Sequence, residues 1–311
     1  MSFRSKTKIC TIIYLLAEVL LVTSCSNNNK IMYQAGMNTQ EEYFSNASSS
    51  SETKQEISQS SISEKIIKQE ENNKENKKVI TTPEEYEASS LPILAAIPDK
   101  DIFLYDTKNE QVILSIRKNK SYYDWQCLTP RFILPQMQLG DFDNDGKDEL
   151  SVILYTGSGT GVSIQDLHII EISDGKILSG NQSDNKNSQS YKDHMFSPDD
   201  YVSQLKDKIS FKTYLDAGQL MGKINDSTKS YTVSLKEFQT DEYGKIRSEL
   251  YFASIVSFSC EESKLKAEFG VGIICEKLPQ ACYIGKLSAD VEYREGKFGL
   301  KNFGFREDWQ E

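Results

Sequence analysis

This chain has very little of the chemistry on which most active sites depend. It contains only two histidines among 311 residues, and no Cys-X-X-Cys pair of the kind that binds zinc or performs thioredoxin-like redox chemistry. The glycine-rich residues 157–161 are not followed by Lys-Ser/Thr, do not form a Gly-X-Ser-X-Gly elbow, and bring the third glycine one residue too early for a dinucleotide loop. We therefore expect no catalytic centre.

Both histidines are in contexts that favour structural roles. His168 lies in an apolar segment, and Asp166, two residues earlier, would share its face of a strand. A catalytic His–Asp dyad and a hydrogen-bonded strand histidine both fit this spacing, and the second is the commoner arrangement. His194 lies among polar residues and is predicted to be a solvated loop residue.

Positive charge is also scarce. Lys and Arg number 36 against 46 Asp and Glu, which gives a formal net charge of −10. Nucleic-acid binding requires a basic surface, so this balance argues against a nucleic-acid partner. An acidic domain is instead consistent with cation binding.

No apolar run is long enough to span a bilayer, which takes about twenty residues. The longest, residues 9–22, is interrupted by Glu18 and follows three basic residues among the first eight. Residues 22–25, Val-Thr-Ser-Cys, end this pattern and resemble the lipobox of bacterial lipoproteins. The resemblance implies that residues 1–24 are a signal peptide and that Cys25 is lipidated. The protein would then be anchored on the extracytoplasmic face of a bacterial cell membrane.

Residues 25–82 are predicted to be the lipidated cysteine followed by a disordered linker. This stretch is rich in Ser, Asn, Gln, Lys and Glu and has too few apolar residues to build a core. A flexible coil of about 57 residues would hold the following domain roughly 40 Å from the membrane.

Five acidic residues crowd the ten-residue segment 141–150. Carboxylates at loop positions one, three, five and nine, together with the carbonyl at position seven, would form an oxygen cage for Ca²⁺. Gly146 at position six supplies the positive φ of a tight turn. The alternative is a solvated acidic hairpin turn, since Asp, Asn and Gly are common turn residues. The predicted ligands are Asp141, Asp143, Asp145, Lys147 and Glu149.

The residue at position twelve, Val152, separates this loop from an EF-hand, which would have a glutamate there. Val152 belongs to an apolar, β-branched run that predicts a strand. With Leu139-Gly140 before it and Leu150 after it, the loop resembles the FG-GAP/VCBS repeat of integrin α-subunit propellers and bacterial surface proteins, which implies Ca²⁺ as the cofactor. The resemblance covers residues 137–156, and the sequence has no second such loop, so we do not expect a full propeller.

Residues 83–311 are predicted to form one mainly-β domain, with antiparallel sheets in an incomplete propeller-like or sandwich arrangement and one or two short helices. Alternating apolar residues predict half-buried strands in residues 230–235 and 286–293, and residues 294–297 predict the turn of a closing hairpin. Residues 250–258 are apolar on both faces and predict a single central strand.

The clearest helix signal begins at Ser197, an N-cap residue that is followed by Pro198 and two aspartates. This helix is predicted to end near Ile209. Residues 181–193 before it are predicted to be a polar loop, and residues 157–161 a flexible turn.

Four cysteines remain after Cys25, and they allow two disulfides in an oxidising compartment, with three connectivities. A Cys275–Cys282 bridge across a hairpin and buried reduced thiols are both compatible with the pattern. The four are Cys127, Cys260, Cys275 and Cys282.

The expected function is that of a lipid-anchored surface protein whose calcium-stabilised β domain binds an envelope protein or a glycan without catalysis. Tyr122, Tyr123 and Trp125 would stack on sugar or belong to the core. The alternatives are a cell-envelope hydrolase that uses Asp141, Asp143 or Asp148 as acid or base, and a solute-binding lipoprotein, although its two α/β lobes are not evident.

Replacing Cys25 by alanine tests the lipid anchor. The thioether needs the cysteine sulfur, so Cys25→Ala should leave the membrane fraction or accumulate as uncleaved precursor, as measured by fractionation and immunoblotting. Cys10→Ala makes the same change within the signal peptide and should leave anchoring intact. Normal processing and membrane retention of Cys25→Ala would contradict the assignment.

Overall fold

The computed structural model describes most of the predicted domain. The described residues are 78–109, 111–172, 178–179 and 189–307. The signal peptide, Cys25 and residues 26–77 lie outside these ranges, so what the sequence indicates for them stays a prediction. The described part is mainly β, as predicted, with antiparallel and mixed sheets and two α-helices.

A small antiparallel sheet lies at the beginning of the described chain. Helix α1 (Pro83–Ala88) precedes its strands, with Thr82 as the N-cap that accepts a hydrogen bond from the Glu85 amide at 3.2 Å. The sheet is a meander of β1 (Ile93–Ile97), β2 (Ile102–Asp106), β3 (Val112–Ile116) and β4 (Asn119–Tyr123). Ile80 is buried and its amide donates to the Ile93 carbonyl at 3.0 Å, so packing begins slightly before Pro83.

A mixed sheet of nine strands forms the centre of the domain. Its main order is β18-β17-β16-β15-β7-β6-β5, with β10 also paired to β7 and β14 also paired to β16. The strands are β5 (Gln136–Gly140), β6 (Glu149–Gly159), β7 (Val162–Glu171), β10 (Lys192–Met195), β14 (Ile246–Tyr251), β15 (Ile255–Glu261), β16 (Lys264–Cys275), β17 (Cys282–Arg294) and β18 (Lys297–Arg306).

Two smaller sheets and one more helix complete the described strands and α-helices. Strands β8 (Leu178–Ser179) and β9 (Gln189–Ser190) pair with each other. Helix α2 (Pro198–Lys208) leads into a three-stranded antiparallel sheet of β11 (Ser210–Asp216), β12 (Gln219–Asn225) and β13 (Ser230–Ser234).

Strand β6 is buried on both faces. Leu150, Val152 and Leu154 pack into a first core shared with the small sheet. Ile153, on the opposite face, belongs to a second core that includes Phe269 of β16. The sheet therefore lies between two apolar layers, which explains why residues 150–154 are apolar on both faces apart from Ser151.

The predicted helix is confirmed together with its cap. The Ser197 hydroxyl accepts the Asp200 amide at 3.2 Å, and Pro198 occupies the first helical position, where no amide partner is needed. The buried face consists of Tyr201, Val202 and Leu205. The two alternating segments are confirmed as β13 and β17, and the closing hairpin turns at residues 295–296.

Helix α2 and strand β13 cover the outer edge of β18. The Gln204 side chain donates to the Phe298 carbonyl at 3.1 Å and accepts the Leu300 amide at 2.8 Å. The Lys208 ammonium donates to the Leu300 carbonyl at 2.7 Å, and the Tyr231 hydroxyl donates to the Phe303 carbonyl at 2.8 Å. Side chains thus satisfy edge groups that have no neighbouring strand.

The prediction of one strand over residues 250–258 is wrong. Strand β14 ends at Tyr251 and β15 begins at Ile255, and both pair with β16. The chain gains a second neighbour at this break, because Ile255 joins β7 in parallel while the Ser254 carbonyl accepts the Ser163 amide at 2.8 Å. Phe252 is buried within the break. An apolar pattern alone does not locate such a change of partner.

Two predicted loops are shorter than expected. Residues 157–159 extend β6, so the turn before β7 is only Thr160 and Gly161. Residues 189–190 and 192–193 of the predicted polar loop belong to β9 and β10, and residues 181–188 lie outside the described ranges.

The four described cysteines carry free thiols. Cys275 is fully buried, and its thiol is hydrogen-bonded to that of Cys282 on the neighbouring strand. Burial raises the pKa of the Cys282 thiol to about 11, and the Cys275 thiol adds to the shift. Of the two alternatives, the structure has reduced thiols, with Cys275 buried and the other three half-buried.

Replacing Lys118 by glycine should stabilise the domain. Arg117 and Lys118 form the two-residue turn between β3 and β4, with φ angles of 49° and 70°. The left-handed region costs a non-glycine residue about 1–2 kcal/mol, partly offset by the greater freedom of glycine in the unfolded chain. We expect Lys118→Gly to raise the unfolding free energy by about 0.5–1 kcal/mol in urea titrations. Lys297→Gly, in an exposed strand position, should lower it, and destabilisation by Lys118→Gly would refute the prediction.

Candidate metal centre

The acidic loop joins two paired strands of the large sheet. Gly140 at the end of β5 is opposite Glu149 at the start of β6, so residues 141–148 close an antiparallel hairpin. Phe142 at position two is buried in the second core, a contact that contributes about 1.5–3 kcal/mol for a side chain of this size. Gly146 has a φ of 86°, as its position predicts. The loop is thus fixed to the core at one end and to the sheet at the other.

Three of the predicted ligands converge. Side-chain oxygens of Asp141, Asp143 and Glu149 lie within 4.8 Å of one another. Asp145 stays outside this group, because its carboxylate accepts the Lys147 amide at 2.8 Å and lies 3.6 Å from the Lys147 ammonium. Lys147, whose carbonyl is the fifth predicted ligand, is exposed.

Backbone amides organise the converging carboxylates. The Asp145 amide donates to Asp141 Oδ1 at 3.0 Å and to Asp143 Oδ1 at 3.1 Å. The Gly146 amide donates to Asp141 Oδ2 at 3.0 Å, and the Phe142 amide donates to Glu149 Oε2 at 3.0 Å. The loop therefore curls around its own acidic side chains.

Glu149 is the most constrained of these carboxylates, with only 4% of its surface exposed. Burial raises the pKa of Glu149 to about 7, and the negative charges of Asp143, Asp145 and Asp141 add to the shift. The hydrogen bond from the Phe142 amide opposes it. A cation among these side chains would reverse the repulsion and stabilise the ionised form. The ligand atoms are all carboxylate oxygens, which suit the hard cations Ca²⁺ and Mg²⁺ better than zinc.

A second carboxylate, that of Glu171 on β7, is directly opposite Glu149 in the pairing of β6 with β7. Its Oε1 accepts from the Lys192 ammonium at 2.9 Å, contacts His194 Nε2 at 2.8 Å and accepts the Tyr293 hydroxyl at 3.5 Å. Within the described ranges, Glu171 thus has basic partners while no ion pair includes Glu149. Burial raises the pKa of Tyr293, and the charges of Glu171, Glu149 and Asp143 contribute.

The prediction for His194 is wrong. This residue lies in β10, its side chain is largely buried, and its ring packs edge-on to Tyr293 with 5.6 Å between centroids. A Cβ added to Gly296 would come within 2.3 Å of the imidazole, so the β17–β18 turn closes directly onto His194. The four residues of β10, Lys-Asp-His-Met, gave no apolar signal for a strand.

His168 is a hydrogen-bonded strand histidine, as predicted, but its partner is not Asp166. Its Nδ1 lies 2.9 Å from Asp193 Oδ1, and Asp193 Oδ2 accepts the Trp125 indole N–H at 2.8 Å. The Trp125 ring lies 4.5 Å from the His168 ring and stacks on Tyr123 at 4.2 Å. Asp193 therefore joins the small sheet to the large one, and this role was missed because it depends on the unrecognised β10.

The aromatic cluster divides between core and surface. Tyr123 and Trp125 are buried, whereas Tyr122 is 42% exposed. Tyr123 and Trp125 are therefore core residues, which leaves Tyr122 as the member of this cluster that a ligand would reach.

Comparison with known proteins gives no assignment: no family model, no curated protein and no solved structure matches this chain. The fold and the site define a mainly-β domain with an acidic hairpin loop at one end of its central sheet. In the described part of the chain, neither helix has the length and apolar character that crossing a membrane requires.

Substitution of Asp193 tests the junction between the sheets. Asp193→Asn keeps the shape but removes the charge that accepts from Trp125 and pairs with His168, so we expect a loss of about 1–3 kcal/mol in unfolding free energy. Tryptophan fluorescence during urea unfolding measures it. Asp207→Asn, at an exposed position of α2, should change stability by less than about 0.5 kcal/mol. Equal effects of the two changes would refute a structural role for Asp193.

Proposed function

We propose that the protein is a lipid-anchored extracytoplasmic lipoprotein whose β domain binds Ca²⁺ at the acidic loop and acts as a non-catalytic binding module for an envelope protein or a glycan. The observation that carries the calcium proposal is the convergence of Asp141, Asp143 and the buried Glu149, at the spacing of a calcium-binding repeat. The lipobox-like residues 22–25 support the anchor.

Burial of Glu149 is the strongest physical argument for a cation. A buried carboxylate that lacks a charge partner is costly, and proteins normally pair such a group or have it bind a metal ion. Neighbouring Asp141 and Asp143 increase this cost. Ca²⁺ takes six to eight oxygen ligands, of which these three carboxylates would supply part. Asp145 and the Lys147 carbonyl would add to the set by a local change of the exposed half of the loop, with water completing it.

A calcium ion at this position would have a structural effect on the sheet. It would link the β5–β6 hairpin to the buried end of β6, next to the contacts of Glu171 with β10 and Tyr293. The same carboxylates, held ionised by the cation, would be poor proton donors near neutral pH. This argument supports a binding module over a hydrolase that uses Asp141 or Asp143.

The variant Glu149→Gln gives a test in which the sign of the effect depends on calcium. In chelator, loss of a buried charge should leave the melting temperature of the full-length protein unchanged or higher. In calcium, the wild type should gain about 2.7 kcal/mol at a concentration one hundred times Kd, whereas Glu149→Gln should gain little. Calorimetry with Ca²⁺, Mg²⁺ and chelator measures both effects.

Asp148→Asn is the matched control, because Asp148 is adjacent, exposed and outside the converging group. It removes the same charge and should keep the calcium-dependent gain. Asp145→Ala asks whether Asp145 joins the ligand set, in which case it should also lose part of the gain. A wild type that melts at the same temperature in calcium and in chelator would refute the proposal.

A further inference from the structure

The three-stranded sheet β11–β13 brings two lysines together within an acidic chain. Residues 210–234 contain three lysines and two aspartates, in a chain whose net charge is −10. Lys212 and Lys223 are directly opposite each other in the β11–β12 register. Among the described residues, neither takes part in an ion pair. Like charges at such a position destabilise a sheet, so the pair needs an explanation other than folding.

The two lysines belong to the solvent face of this sheet. The opposite face packs Phe211, Ile224 and Val233 into the second core. Because side chains alternate along a strand, Lys212 and Tyr214 lie on the other face, which Asp216 at the end of β11 shares. Lys212 is opposite Lys223, which is opposite Thr232 on the third strand. In the same way, Tyr214 is opposite Met221, which is opposite Ser234. We call the set Lys212, Tyr214, Met221, Lys223, Thr232 and Ser234 the lysine face.

Four of the six residues of the lysine face are exposed, and Met221 and Lys223 on the central strand are half-buried. Lys212, Thr232 and Ser234 are exposed, and 36% of the Tyr214 surface is accessible. Cross-strand neighbours have Cβ atoms about 4.5–5.5 Å apart, so the two ammonium groups are able to contact neighbouring anionic groups of one ligand. An open sheet face suits an extended polymer better than a small molecule that needs a cleft.

We propose that the lysine face binds an anionic polysaccharide, with its carboxylate groups on Lys212 and Lys223 and a sugar ring against Tyr214. This inference rests on the proposed function and specifies its partner. The Tyr214 ring and the Met221 side chain offer an apolar platform for the C–H face of a sugar. The hydroxyls of Thr232 and Ser234 are donors and acceptors for sugar hydroxyls.

Charge also favours a polysaccharide over a lipid surface. Asp216 and the 67% exposed Leu215 lie at the tip of the β11–β12 hairpin. Anionic lipids that met this end of the hairpin would repel the Asp216 carboxylate. A polymer that lies across the strands, from Lys212 through Lys223 to Thr232, contacts both lysines without approaching Asp216.

The test compares polymers that differ in one property each. Full-length protein in detergent and calcium is titrated with hyaluronate, which is a carboxylated polysaccharide, with neutral dextran, and with poly-glutamate, which has carboxylates but no sugar. We expect binding to hyaluronate that weakens as salt increases, and at least tenfold weaker binding to the other two. Binding to poly-glutamate as strong as to hyaluronate would overturn the proposal in favour of an acidic protein partner.

The variants locate the surface. Lys212→Gln/Lys223→Gln should weaken hyaluronate binding about tenfold, since each surface charge contact contributes up to a few-fold. Tyr214→Ala should weaken it while keeping the salt dependence. Lys264→Gln/Lys297→Gln removes the same charge from exposed positions of β16 and β18 and should bind like the wild type. Equal binding by the two double variants, or no binding of hyaluronate at all, would overturn the assignment.

Calcium-dependent melting of the same samples separates this inference from the proposed function. A wild type that melts higher in calcium but does not bind hyaluronate would contradict only the lysine face. A wild type that binds hyaluronate but has the same melting temperature in chelator would contradict only the calcium proposal.

Discussion

The burial of β6 on both faces is the constraint on which the rest of the domain depends. Leu150, Val152 and Leu154 face one core while Ile153 faces the other. A register shift of one residue would exchange the two faces, so both cores together fix the position of the strand. Glu149 is the first residue of β6. Its burial beside two aspartates is therefore a consequence of apolar packing, and the acidic loop has to accommodate it.

Polar contacts of β10 add to the packing of the two cores in holding the two sheets together. Asp193 points to one side of this strand, where it joins Trp125 and His168. His194 points to the other side and binds Glu171. One four-residue strand thus connects the small sheet, the large sheet and the surroundings of the acidic loop, which is why it matters more than its length suggests.

Local sequence patterns were sufficient to predict part of this structure. The Ser197 cap and the alternation in β13 and β17 depend on residues close together in sequence, and they predicted these elements correctly. The break after Tyr251, the strand β10 and the Asp193 contacts depend on distant partners, and no local pattern indicates them. The spacing of the acidic residues correctly predicted that Asp141, Asp143 and Glu149 lie close together. Asp145 lies outside this group because its carboxylate accepts a hydrogen bond from the Lys147 amide. The Lys212–Lys223 pair is a matter of strand register, so no motif indicates it.

The side chains of α2 along β18 link the helix to the solubility of the protein. Gln204 and Lys208 occupy the carbonyl and amide groups with which a foreign strand would pair. If the helix separated from the sheet, a ten-residue strand edge would become a template for intermolecular β-pairing. Resistance to aggregation at this edge therefore depends on a helix of eleven residues and its two polar side chains, together with Tyr231 of β13.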